Sequence, residues 1–172
     1  MKSGIFIPAI NERDGKIIEL QTFMSNNEYK DIVVTGLIDV EIEQSIYLTI
    51  TILMDMGISL PNYLHIHFPD YTFIKSGISA SLGIFLNCYI KLNNEIVSNS
   101  YLVTGEIDIY GNVWEVGGII EKYELFKKSN IEYFIIPEKN LKQLRNIKLD
   151  NNVVAIKTVA ELISKIGEIE NV

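Results

Sequence analysis

The hydrophobic pattern of this chain changes period again and again along its length, and that alternation limits the folds open to it. Residues 15–25 (GKIIELQTFMS), 30–36 (KDIVVTG), 62–69 (NYLHIHFP), 132–137 (EYFIIP) and 152–157 (NVVAIK) are short runs rich in β-branched and aromatic residues. Such side chains favour extended backbone, so each run predicts a strand. Elsewhere the spacing lengthens. Val40, Ile42, Ile46, Ile50, Leu53 and Met54 recur at helical intervals, with Asp39 placed to cap the first turn and Gly57 to stop the last. Residues 78–92 are too long and too continuously apolar for a strand and read as a buried helix. Helical spacing also covers 119–129, 138–146 and 158–169, the last with Thr158 as N-cap and Glu161 three residues on. Residues 101–118 hold two alternating runs around Tyr110-Gly111-Asn112, a hairpin signal. Elements in this order predict one α+β (mixed α/β) domain over residues 1–172, with mixed sheets and packed helices.

Charge and cysteine content narrow the class. With 172 residues, 48% of them hydrophobic, the chain has apolar material for one sizeable core. A net charge of -7 with scattered Lys and Arg argues against a nucleic-acid partner or an anionic membrane surface, both of which need clustered cations. The single cysteine, Cys88, sits in an apolar run and reads as core filler. It can form no intramolecular disulfide, and no apolar run reaches the length of a membrane span. The expected setting is soluble and cytoplasmic, with no cofactor.

Candidate chemistry centres on KSGISASLG, residues 75–83, which holds three serines. Ser76 precedes Gly77 and is a plausible helix cap. Ser79 would lie in the first helical turn, where free N–H groups and the positive end of the helix dipole stabilise a developing oxyanion. Ser81 falls on a different face. Taken alone, the three serines also read simply as capping residues. A serine nucleophile needs a base. Lys122, four residues after Gly118 and flanked by Ile119, Ile120 and Leu125, stands where burial and a helix N-terminus would lower its pKa. Read alone, it is equally a solvated lysine paired with Glu121 or Glu124. The two histidines, His65 and His67, share one face of a strand. They read as a strand-edge pair, as a weak His-x-His metal pair, or as a base for a serine; no metal site is expected, since zinc would need further ligands.

Together these stretches resemble the proteolytic domain of Lon proteases, a Ser-Lys peptidase family. The resemblance rests on IKSGISAS at 74–81, TGE at 104–106, GGIIEK at 117–122, HIHFP at 65–69, TG at 35–36 followed by EQSI, and FIIPEKN at 134–140. Ser79 and Lys122 are 43 positions apart and Thr104 lies 18 before the lysine, close to the spacing the family uses. The resemblance implies Ser79 as nucleophile, Lys122 as general base, Thr104 orienting the lysine, and His67 as a supporting residue outside direct contact. It implies an unfolded protein or peptide as substrate. It also implies a homo-oligomer, a hexameric ring being one form with the ring size left open.

Three positions depart from the family pattern: Ser76 replaces its aspartate, Ile78 the proline before the nucleophile, and Ser81 a glycine after it. No G-x-x-x-x-G-K-[ST] stretch occurs in the sequence, so the resemblance is to the proteolytic domain without its ATPase module; either the chain is a piece cut from a longer protein, or the protein lacks its own motor and a separate ATPase partner would supply unfolding. The expected function is a serine endopeptidase acting through Ser79 and Lys122. The alternative is a non-catalytic Lon-like oligomerisation or partner-binding module; a Ser-His hydrolase using His65 or His67 is a weaker third.

Overall fold

A computed structural model describes residues 3–10, 15–72, 74–75 and 77–171. Its first half contains β1 (Gly4–Ile10), β2 (Gly15–Glu19), β3 (Gln21–Ser25), β4 (Asp31–Thr35), α1 (Val40–Asp55) and β5 (Tyr63–His67). A 3-10 turn (Ile78–Ala80) leads into α2 (Ser81–Leu92), followed by β6 (Ser100–Val103), β7 (Glu106–Ile107), β8 (Val113–Trp114) and α3 (Ile119–Lys128). The last part holds β9 (Tyr133–Pro137), a second 3-10 turn (Glu138–Asn140), α4 (Leu141–Leu144), β10 (Val153–Ile156) and α5 (Val159–Glu170).

The central sheet has the order β10-β9-β6-β1-β2, parallel throughout except for the β1–β2 pair. A second sheet has the order β3-β5-β4, and β7 and β8 form a hairpin. Successive strand residues point to opposite faces, and the two faces of the central sheet therefore build two cores. Ile5, Ile7, Tyr101, Val103 and Ile135 pack with Leu82, Phe85 and Leu86 of α2 and with Leu162 and Ile166 of α5. Leu102, Phe134 and Ile136 pack with Ile119, Tyr123 and Phe126 of α3 and with Leu144 of α4. Helices α2 and α3 thus cover opposite faces of one sheet, which is an α+β arrangement with mixed sheets.

The helix boundaries follow the local signals. Asp39 Oδ1 accepts from the Ile42 amide at 3.0 Å, and Thr158 Oγ1 accepts from the Glu161 amide at 3.1 Å, satisfying N–H groups that a helix start leaves free. Cys88 is buried and its thiol is pushed up to about 12 by burial alone, consistent with core filling.

Four features differ from the sequence expectation or lie beyond it. β1 is one strand beyond those expected; its ladder with β6 covers only Gly4–Phe6, so Pro8 lies beyond the neighbour that would need its missing N–H. The extended run 15–25 changes partners at Leu20, pairing first with β1 and then with β5, a switch local pattern does not record. The helix expected over 138–146 shrinks to a 3-10 turn and the four residues of α4. The cap expected at Ser76 lies outside the described residues. No helix among the described residues is long and apolar enough to cross a membrane.

Candidate active site

The carboxyl end of β6 is where the two faces of the sheet meet. Thr104, fully buried, follows β6 and its amide donates to the Ile135 carbonyl at 3.1 Å, the last rung toward β9. From one face, Gly77 at φ +96° turns the chain into the Ile78–Ala80 turn, a conformation side chains with Cβ seldom adopt. The Gly105 amide donates to the Ser79 carbonyl at 2.9 Å, and the Leu82 amide donates to the Gly105 carbonyl at 3.1 Å. A Cβ on Gly105 would stand 2.7 Å from Leu82 Cδ2, so the strand and the turn can approach this closely only because that residue is glycine. Ser79 therefore sits in a 3-10 turn just ahead of α2, half-buried, rather than in the first α-helical turn.

From the other face comes Lys122. Gly118 in the left-handed region starts α3, and the Lys122 amide closes the first turn onto the Gly118 carbonyl at 3.0 Å. Lys122 shares the inner face with Ile119, Tyr123 and Phe126 and is only 4% exposed. Its Nζ lies 3.1 Å from Ser79 Oγ and 3.2 Å from Thr104 Oγ1. Burial lowers its pKa from 10.5 to about 8, with Glu121 opposing the shift. No salt bridge joins Lys122 to Glu121 or Glu124 among the described residues.

Hydrogen-bond direction follows from donor inventories. The Thr104 hydroxyl donates to the Ser79 carbonyl at 3.3 Å, so a lone pair on that oxygen is left to accept an N–H from Lys122. A neutral lysine amine has one lone pair, and with an N–H committed to Thr104 that lone pair is available to the Ser79 hydroxyl at 3.1 Å. The set opens into a cleft of about 290 Å³ lined by Glu41, Gly77, Ile78, Ser79, Glu106, Glu115, Val116, Gly117 and Lys122.

Other sequence candidates lie elsewhere or do something else. His67 is not among the cleft residues. Its Nδ1 and the Nε2 of His65 lie 2.7 and 2.8 Å from the one hydroxyl of Thr35, which donates to one ring and accepts from the other. The pair thus braces β4 against β5, and no three His, Cys, Asp or Glu side chains among the described residues converge as a metal site would require. Ser81 is buried: its Oγ donates to the Gly105 carbonyl at 3.1 Å and accepts from the Ile107 amide at 3.0 Å, binding α2 to β7.

Two supporting residues carried no role in the sequence reading. Asn140 accepts from the Val116 amide at 3.0 Å and donates to the Val116 carbonyl at 2.9 Å, holding the segment that delivers Gly117, Gly118 and Lys122. Its signal was present in FIIPEKN, as a polar residue after a buried strand. Lys75 is 1% exposed; its amide donates to the Leu37 carbonyl at 2.8 Å, its carbonyl accepts from the Asp39 amide at 3.1 Å, and its Nζ donates to the Asp70 carbonyl. It clamps the loop before Ser79 to the start of α1, a role that only the folded arrangement of three segments reveals.

A sequence-family model described as the Lon protease C-terminal proteolytic domain matches residues 8–169. The chain belongs to the Lon proteolytic-domain family. Among individual relatives, Lon protease 1 of Borreliella burgdorferi is 29% identical over 162 residues, covering 87% of this chain and 20% of that protein. The Lon protease of Aster yellows witches'-broom phytoplasma is 25% identical over 147 residues, covering 78% of this chain and 19% of that protein. That of Orientia tsutsugamushi is 37% identical over 84 residues, 49% of this chain and 11% of the relative. The chain spans about a fifth or less of the length of these Lon proteases.

Proposed function

We propose that this Lon-family domain is a serine endopeptidase in which Ser79 attacks the peptide carbonyl and Lys122 is the general base. The observation that carries the reading is the 3.1 Å approach of Lys122 Nζ to Ser79 Oγ inside a buried, apolar-backed site. Neutral Lys122 takes the hydroxyl proton as the serine oxygen bonds to the carbonyl carbon, and the resulting ammonium returns it to the leaving amine. Thr104 holds the amine toward Ser79. Backbone N–H groups of the turn around Ser79 are the donors offered to the tetrahedral oxyanion. Water then repeats the attack on the acyl-serine with Lys122 as base, releasing the second product and the free serine.

The substrate this reading favours is an unfolded protein or a peptide, because a cleft of about 290 Å³ admits an extended segment and not a folded domain. A ring of identical subunits, with unfolding supplied by an ATPase module or a separate ATPase partner in the cytoplasm, completes the proposal. Hydrogen-bond reach between the two side chains favours catalysis over a purely binding module.

The test is casein and fluorogenic peptide hydrolysis by the wild type, Ser79→Ala and Lys122→Ala, with a peptide boronate as covalent probe. Turnover should be lost in both variants and the boronate should modify Ser79. Undiminished turnover in either variant would sink the dyad.

A further inference from the structure

The cleft that holds Ser79 is acidic on both sides of the serine, and two of its carboxylates have no neutralising partner among the described residues. Glu41, in the first turn of α1, reaches over the nucleophile's turn: a Cβ placed on Gly77 would lie 4.0 Å from Glu41 Oε2. Glu106 approaches from the other side, two residues beyond Thr104 on β7, and is half-buried. Neither carboxylate has a hydrogen bond or salt bridge among the described residues. Glu115, the third acid of the cleft, is different: Lys142 holds it at 2.6 Å on the outer side. Among the described residues the one cation lining the cleft is Lys122, which must be neutral to accept the serine proton and so offers the two acids no charge at that moment.

Two unpaired carboxylates beside a serine that must develop an oxyanion oppose the reaction, unless something positive enters with the substrate. We propose that Glu41 and Glu106 select peptide segments carrying lysine or arginine beside the scissile bond. This rests on the peptidase reading above. The aliphatic stem of such a residue has Ile78, which is 39% exposed, and Val116 to lie against, while its charged head reaches the two acids. A basic side chain displaces water from the cleft and pairs with its carboxylates, whereas a merely large apolar one would strip them of water and leave them unpaired, which is why the selection falls on basic side chains.

Binding to the full-length Ser79→Ala protein tests the selection without depending on turnover. Two fluorescein-labelled peptides, identical except for a central lysine or its neutral counterpart norleucine, are titrated by anisotropy at low salt. The lysine peptide should bind roughly fivefold to tenfold more tightly, and the ratio should fall toward one in Ser79→Ala carrying Glu41→Gln and Glu106→Gln. About 0.5 M sodium chloride should shrink it similarly. Equal affinities, no binding of either peptide, or a preference that survives both Glu→Gln changes overturns the proposal. Wild-type hydrolysis of the same peptides separates the two claims: a lysine preference in binding with no Ser79-dependent cleavage removes the peptidase reading and leaves the selectivity, whereas Ser79-dependent cleavage without a lysine preference does the reverse.

Discussion

Lys122 Nζ stands 3.1 Å from Ser79 Oγ although α3 and α2 lie on opposite faces of the central sheet. The two side chains can meet only past the end of β6, where the sheet no longer separates them and Thr104 fills the gap. That location makes the amine both buried and reachable, and it is the burial that sets its chemistry.

Lys122 should make both hydrolysis and stability depend on pH. With a pKa lowered to about 8, Lys122 is protonated at neutral pH and is a base only in its neutral form. kcat/KM should rise roughly tenfold per pH unit below about 8 and level off above it. Stability should follow the same group. Between about 8 and 10.5 the unfolded chain holds the lysine proton more tightly than the folded one, so stability rises with pH across that window. Lys122→Met removes this dependence. Its advantage over the wild type in urea midpoint should be largest below pH 8 and shrink toward pH 10; a constant difference would argue against a depressed lysine.

Thr104→Val keeps the volume and deletes the hydroxyl that accepts from Lys122 and donates to the Ser79 carbonyl. The amine then loses the partner that aims its lone pair. The expected result is a fall in kcat of roughly tenfold to a hundredfold with little change in KM, restored largely by Thr104→Ser. An equal loss in the serine variant would mean that the methyl packing, and not the hydroxyl, matters.

The alternation of periods was enough to place the α1, α2, α3 and α5 segments and most strands, and the caps at Asp39 and Thr158 were readable because N-cap chemistry is local. The ordered spacing of Ser79, Thr104 and Lys122 was readable for the same reason that the family is recognisable: three short stretches at near-constant separation. What escaped was everything decided by distant partners. Leu20 looks like the middle of one strand, and only pairing with β1 and β5 divides the run. His67 is readable as a supporting residue, but not that the Thr35 hydroxyl would join its ring to that of His65. Asn140 stands out in FIIPEKN as a polar residue after a buried strand, but its partner, the Val116 backbone 24 positions earlier, does not.

Ser81 tests which serine of KSGISASLG matters. Its hydroxyl is spent on Gly105 and Ile107, both buried; Ser81→Ala strands the Ile107 N–H, while the Gly105 carbonyl keeps the Leu82 amide. A loss of about 1–3 kcal/mol in stability is expected. Boronate labelling of Ser79 per folded molecule should persist, whereas Ser79→Ala should abolish labelling with little loss of stability. Labelling lost on Ser81→Ala in fully folded protein would shift the nucleophile's assignment.

His67→Ala should perturb rather than eliminate hydrolysis. The imidazole braces β4 against β5 by way of Thr35 and meets the loop into Ser79 through the Tyr71 ring, whose centroid lies 6.0 Å away, outside direct contact with the nucleophile. Thr35→Val, which leaves both rings without their shared partner, should cost more stability than His67→Ala, by about 1 kcal/mol. Complete loss of turnover in folded His67→Ala would instead favour a histidine base.

Asn140 carries the last prediction because its contribution is geometric. Its side chain returns both hydrogen bonds of the Val116 backbone, and that backbone leads directly into the left-handed Gly118 from which α3 and Lys122 start. Asn140→Ala leaves a buried N–H and a carbonyl unpaired, for which about 2–4 kcal/mol of stability is the expected cost. Asn140→Asp keeps the acceptor for the Val116 amide and loses the donor to its carbonyl and to Gln143 Oε1, and it adds a charge in a fully buried position, so it too should be destabilised. The distinguishing measurement is the boronate reaction at a temperature where each variant is fully folded. If Asn140 positions Lys122, the reaction rate falls and its pH midpoint moves up from about 8 toward that of an exposed lysine, as the amine is no longer held in its buried site. A variant that loses stability but keeps both rate and midpoint would confine Asn140 to holding the fold.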